Sequence, residues 1–117
     1  MSPTLSKLYH DGYLEAVSVE QTKVFEAAVR FARCEGILPA PESAHAIRAA
    51  MDEAIRCRES GEKKVILFGL TGTGYFDLTA YTAYHEGKMS DYIPTDEDLK
   101  RGFDSLPDIP QNREARA

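Results

Sequence analysis

Two short stretches hold the side chains best suited to chemistry. In Glu35-Gly36-Ile37-Leu38-Pro39-Ala40-Pro41-Glu42-Ser43-Ala44-His45-Ala46, an acid and an imidazole fall in the opening turn of a helix that starts near Pro41. These are the residue types of proton transfer, yet the helix dipole alone favours an acid such as Glu42 in a first turn. His45 suits a hydrogen bond that orients the preceding loop better than it suits proton transfer, and a lone histidine makes a poor metal site. The second stretch, Thr71-Gly72-Thr73-Gly74, follows an apolar run and precedes a helix. Such a turn can cradle a phosphate on bare backbone amides. Its spacing is not the dinucleotide fingerprint, however, and no Gly-Lys-Ser/Thr follows as in a P-loop. Taken alone, Thr71 reads as a turn threonine bonding its own backbone. Cys34 and Cys57 lie on separate predicted helices without CxxC spacing, so both are expected to be reduced packing residues and no metal centre is expected.

The elements that must position these residues are marked by periodicity and by helix signals. Leu5, Leu8 and Tyr9 predict a short helix over Pro3–His10, stopped at Asp11-Gly12, and Tyr13–Val17 reads as a short strand. Ser18-Val19-Glu20-Gln21 has the S-x-x-Q form of a capping box. It predicts a helix with Val24, Phe25, Ala28, Val29 and Ala32 on one stripe and Gly36 as its stop. A proline-bracketed link leads into the best-marked helix, from about Pro41 to Ser60, with Ala44, Ile47, Met51, Ala54 and Ile55 on one face and Gly61 beyond it. Lys64–Leu70 is almost wholly apolar and reads as a strand buried on both faces. A further helix over Asp77–Glu86 turns Leu78, Tyr81 and Tyr84 inward. Thr95-Asp96-Glu97-Asp98 can cap a last helical turn carrying Leu99.

These elements conflict in one respect. A strand like Lys64–Leu70 needs neighbours on both edges and cover on both faces, yet only Tyr13–Val17 is available to pair with it. The sheet is incomplete, and an apolar strand edge of this kind invites pairing with another chain.

Composition narrows the class. The 117 residues are 43% hydrophobic and 28% charged, as in an ordinary globular chain with one core. A net charge of −5 and a pI near 5.2, with the basic residues scattered among acids, leave no footprint for nucleic acid. The longest apolar run is far too short to span a membrane and no targeting signal is visible, so the cytoplasm is expected.

Both chemistry-bearing stretches resemble a known family. Glu35–Ala46 resembles the E-G-I-x-P-A-x-E-S-x-H-A stretch of the tryptophan synthase β subunit, and the run into Leu70-Thr71-Gly72-Thr73-Gly74 resembles that family's strand ending in L-S-G-x-G. Their order and separation also agree, and the extended tail is more like the second type of β subunit. The resemblance implies the C-terminal part of a fold-type II pyridoxal 5'-phosphate (PLP) enzyme, an α/β fold that is three-layered when whole. Residues 1–106 would form this C-terminal segment and residues 107–117 a mobile tail.

The resemblance also implies a β-replacement that joins L-serine and indole into L-tryptophan. In that comparison Thr71 stands where a hydroxyl faces the pyridine nitrogen of PLP, and Gly72 and Gly74 let the backbone pass beneath the ring. Glu42 stands where a carboxylate manages protons beside the phenolic edge. The family's Schiff-base lysine and its G-G-G-S-N phosphate loop have no counterpart in the 117 residues. The chain alone is therefore expected to be inactive, with the N-terminal part of the β-like subunit or a homologous chain as its partner. A second copy and an α subunit are further expected partners. The rival expectation is a non-enzymatic protein-interaction module derived from that enzyme.

Overall fold

The computed structural model describes residues 2–106, so the predicted tail over 107–117 lies outside the described residues. Among the described residues five α-helices follow one another: α1 (Pro3–His10), α2 (Gln21–Glu35), α3 (Pro41–Ser60), α4 (Leu78–His85) and α5 (Asp96–Asp104). A single 3-10 turn, Gly74–Asp77, runs into α4. Their bounds follow local signals. Pro3 and Pro41 sit in the first turns of α1 and α3, where a missing N–H costs nothing. Gly36 and Gly61 end α2 and α3 in the left-handed region that glycine enters most easily.

The predicted Ser18–Gln21 capping box does not form. The helix starts at Gln21 with Glu20 as its N-cap and no side-chain cap bond from that residue. Ser18 therefore stands two residues ahead of the cap, too far back to reach the free N–H groups of the first turn. Asp91 takes that role from across the fold, accepting from the backbone N–H of Thr22. The Thr95 box does form: the Thr95 hydroxyl accepts from Asp98 N at 3.2 Å, and Asp98 Oδ2 accepts from Thr95 N at 3.0 Å. Behind this cap the helix runs to Asp104, through Gly102, rather than for one turn.

α2 and α3 pack side by side in the same sense, the start of α2 at Val24 and Phe25 lying by Pro41 and His45 and its end at Phe31 and Cys34 by Met51 and Ala54, and α4 packs against α2. Val24, Phe25 and Ala28 of α2, Ala44 of α3 and Tyr81 of α4 make one buried cluster, with Leu38, Tyr84 and Met89 packed on its rim. The Phe25 ring meets Tyr81 edge-on at 5.0 Å and stacks on Tyr84 at 5.8 Å, geometries that suit the aromatic quadrupole. Arg48 lies between Asp52 of its own helix, at 2.7 Å, and Glu26 of α2, at 3.9 Å. By contrast α1 buries no residue, and Leu5 and Tyr9 are exposed.

The expected sheet is not formed among the described residues. Neither Tyr13–Val17 nor Lys64–Leu70 belongs to a ladder, and the one strand-type pairing is an isolated antiparallel bridge between Pro39 and Thr73. A strand is defined by its partner, and no second strand lies beside either segment. Lys64–Leu70 nonetheless keeps a strand's alternation. Phe68 turns inward onto Phe31 of α2, ring to ring at 6.1 Å, whereas Val65 and Leu67 are 99% and 94% exposed. The segment is thus covered on one face and bare on the other, not buried on both.

Candidate functional site

The site forms where two extended pieces of chain cross, each just before a helix. Ala40 N donates to Gly72 O and Gly74 N to Leu38 O, both at 2.9 Å, on either side of the Pro39–Thr73 bridge. Pro41 then opens α3 and Gly74 opens the turn into α4. The crossing thus brings the Pro39–Ser43 end of one stretch against the Thr71–Gly74 end of the other, 28 residues apart at Ser43 and Thr71.

Ser43 is the hub of this crossing. It is 3% exposed, and its hydroxyl oxygen accepts from Thr71 N at 3.1 Å and from Gly72 N at 3.0 Å. The same oxygen lies 3.0 Å from Thr71 Oγ1. The Thr71 backbone is therefore held by a neighbouring side chain, not by the threonine's own hydroxyl as a turn reading would have it.

Gly72 and Gly74 are both required by close approach. A Cβ on Gly72 would stand 2.9 Å from Ala40 Cβ. One on Gly74 would collide with Pro39 O and stand 2.9 Å from both Leu38 Cγ and Tyr81 Cε2. Pro39 O is further fixed by the Tyr81 hydroxyl, which donates to it at 2.6 Å. Burial, and then the nearby Asp77 carboxylate, push the Tyr81 phenol up to about 12.

Glu42 and His45 share the first turns of α3 but stay apart from this cluster. The Glu42 side chain is exposed and makes no hydrogen bond or ion pair among the described residues. His45 Nδ1 lies 3.0 Å from Pro41 O, which can only accept, so Nδ1 is the donor in this contact. His45 thus makes a hydrogen bond, but to α3's own first turn and not to the preceding loop it was expected to orient.

Thr71 opens onto a cleft of about 400 Å³ walled by Ile37, Leu38, Leu70 and Tyr75. Lysines do not enter it. Lys64, the one nearest in sequence, is held charged by Glu62 and Glu53, which raise its pKa. Among the described residues no group of three His, Cys, Asp or Glu side chains could hold a metal ion, and Cys34 and Cys57 are free. No helix among the described residues is long and apolar enough to cross a membrane.

Ser43 is the residue that sequence reasoning passed over. Its signal was present: a polar side chain in the inward stripe of α3, one position from Ala44 and four before Ile47, has to find a buried partner.

No family model matches the chain. Individual proteins do. Tryptophan synthase beta chain 2 of Aquifex aeolicus (strain VF5) is 63% identical over 90 residues, which is 77% of this chain and 21% of that protein. Tryptophan synthase beta chain 2 of Methanosarcina acetivorans is 56% identical over 88 residues, 75% of this chain and 20% of that protein. The Pyrococcus furiosus beta chain 2 is 47% identical over 107 residues, covering 92% of this chain and 24% of that protein. The chain therefore spans about one fifth of the length of the curated relatives it matches. With identity this high over three quarters or more of its residues, the chain belongs to the tryptophan synthase β-chain family and corresponds to a C-terminal portion of its members.

Proposed function

We propose that this chain supplies the ring-nitrogen side of a PLP site in a β chain that joins L-serine and indole into L-tryptophan. PLP, when bound, supplies the electron sink that allows elimination and replacement at the β carbon of an amino acid. The residues present fit its ring. Thr71 offers a neutral hydroxyl at the mouth of an apolar-walled cleft, and Gly72 and Gly74 keep side chains away from the backbone beside it. In this reading Thr71 Oγ1 would meet the ring nitrogen, Gly72 and Gly74 would leave room for the ring, and Glu42 would hold and move a proton at its phenolic edge. A hydroxyl stabilises a protonated ring nitrogen far less than a carboxylate does, which favours β-replacement over transamination.

The lysine and the phosphate loop come from the remaining part of the β chain or from a homologous chain. The 117 residues alone are not catalytic, because without those two anchors nothing holds the cofactor. A second β copy and an α subunit are further partners of the assembled enzyme. The sheet of a fold-type II enzyme is completed in that assembly.

The observation that carries this reading is the Lys64–Leu70 segment, which leads into Thr71. It has strand alternation, an anchored inner face and an outer face left in solvent at Val65 and Leu67. An apolar face of this kind has the form of an unfilled place in a larger sheet.

Complementation tests it. The chain, mixed with an N-terminal fragment of a homologous β chain, should restore indole-plus-serine activity that neither piece shows alone. A complex that forms yet neither binds PLP nor turns over substrate selects the rival, a protein-interaction module using the same bare face.

A further inference from the structure

We infer that Ser43 is a positioning residue for this site: it sets the direction of the Thr71 hydroxyl hydrogen and so makes Thr71 a donor toward the ring. The inference rests on the proposed function for the identity of the acceptor, and on hydrogen-bond valence for the rest.

A serine hydroxyl has one hydrogen and two lone pairs. Two backbone N–H groups, of Thr71 at 3.1 Å and Gly72 at 3.0 Å, point at Ser43 Oγ, and an N–H can only donate. Both lone pairs are thereby used. The remaining contact of the oxygen is Thr71 Oγ1 at 3.0 Å, so the Ser43 hydrogen lies on that bond and Thr71 Oγ1 accepts it. Thr71 makes no other side-chain hydrogen bond among the described residues, and its own hydrogen is left for a third group. Because Ser43 is buried, solvent does not reorder the array.

Two consequences follow at the cleft. A hydroxyl that accepts one hydrogen bond becomes a stronger donor and a weaker acceptor. A pyridine-type nitrogen accepts only while unprotonated. The chain of donation from Ser43 through Thr71 therefore favours the unprotonated ring, which is the state that a neutral partner is there to maintain. Ser43 also holds the two amides that set where Thr71 stands, so one buried side chain fixes both the place and the polarity of the contact.

The test has two arms. In the 117-residue chain, Ser43→Ala should speed amide hydrogen exchange at Thr71 and Gly72 about tenfold, the loss of one modest hydrogen bond at each. Thr71→Val should leave the Gly72 amide within about twofold of the parent, because its bond to Ser43 remains. In the complex assembled with an N-terminal β fragment and PLP labelled at the ring nitrogen, NMR should show that nitrogen unprotonated. Ser43→Ala and Thr71→Val should each raise its protonation midpoint by about one pH unit, a tenfold change in proton affinity. Thr71→Ser should restore the parent value.

A purely structural role for Ser43 moves the exchange rates and leaves the ring-nitrogen midpoint where it was, and that result overturns the inference. So do exchange rates indifferent to Ser43→Ala. If Ser43→Ala does not fold, the Thr71→Val and Thr71→Ser pair still decides, since equal midpoints in those two variants also overturn it. An unmodified complex that binds no PLP overturns the functional reading instead, and the exchange arm, which needs no cofactor, tells the two failures apart.

Discussion

The carboxylate of Asp91 closes the first turn of α2 from 69 residues away in sequence: Oδ1 accepts the backbone N–H of Thr22 at 2.8 Å and Oδ2 the Thr22 hydroxyl at 2.6 Å. The Thr22 hydroxyl, and then its amide, hold the Asp91 carboxyl below the usual carboxylate range. A group whose folded pKa is depressed contributes stability above its unfolded pKa and loses it as pH falls through the folded value. Asp91→Ala should therefore lower the thermal midpoint at neutral pH. The difference between parent and variant should shrink as the pH is taken from about 6 towards about 3. Thermal melts followed by circular dichroism at several pH values check this; a difference that does not change with pH counts against the carboxylate as the cap.

Glycine substitutions should split sharply by position. Gly74→Ala drives a methyl into Pro39 O, Leu38 and Tyr81, and overpacking of this kind costs about 1–3 kcal/mol. Gly102→Ala meets nothing within 4 Å and lies inside α5, where alanine is favoured over glycine by roughly 0.5–1 kcal/mol. Urea unfolding of the two variants beside the parent measures both signs.

Tyr81 ties the site to the core, and its hydroxyl can be removed without changing the ring. Tyr81→Phe should cost about 1 kcal/mol, because Pro39 O loses a buried donor. It should also remove an alkaline dependence. A folded pKa raised to about 12 means that stability is fully present below the unfolded value near 10 and falls as pH rises through that interval. Tyrosinate absorbance should show one late-titrating phenol in the parent that is missing from the variant.

The bare face of Lys64–Leu70 separates folding from assembly. Leu67→Asp changes a side chain that is 94% exposed, so it should move the stability of the chain alone by no more than about 0.5 kcal/mol. The same change should abolish complementation by an N-terminal β fragment, since it introduces a charge into the face to be buried. Denaturant melts of the chain and activity of the mixture read the two effects independently.

In the reconstituted enzyme Glu42→Gln should lower turnover by roughly 10²–10⁴-fold, the usual worth of a general acid or base, with little change in PLP affinity. Steady-state kinetics beside a cofactor titration make the comparison. Full activity in the glutamine variant removes Glu42 from proton handling and leaves the role of Thr71 open to its own test.

Much of the helical frame was legible because its signals are local. The prolines that open α1 and α3, the glycines that end α2 and α3, and the Thr95–Asp98 box each lie within a few residues of the boundary they set. The start of α2 was misread for the opposite reason: its cap, Asp91, is 69 residues distant, and Ser18 offered a false local substitute. Lys64–Leu70 was read as a strand buried on both faces, but it joins no ladder and no described residue covers Val65 and Leu67, because an uninterrupted apolar run does not say which of its faces finds a neighbour. Thr71, Gly72 and Gly74 were singled out through the family motif. Ser43, inside the same motif, escaped because a serine in a first helical turn looks like ordinary helix-start chemistry until its partners at 71 and 72 are seen.

The outward alternation of Lys64–Leu70 also bears on how fast a partner can join. Fixing the backbone of a free segment costs roughly 1–2 kcal/mol per residue in conformational entropy. This segment is already extended, fastened at one end by Lys64 to Glu53, in the middle by Phe68 on Phe31, and at the far end by the amides of Thr71 and Gly72 on Ser43. Most of that ordering precedes contact, so in the proposed assembly a partner's strand would meet a preformed template. Association should then be limited by encounter and by ordering on the partner's side.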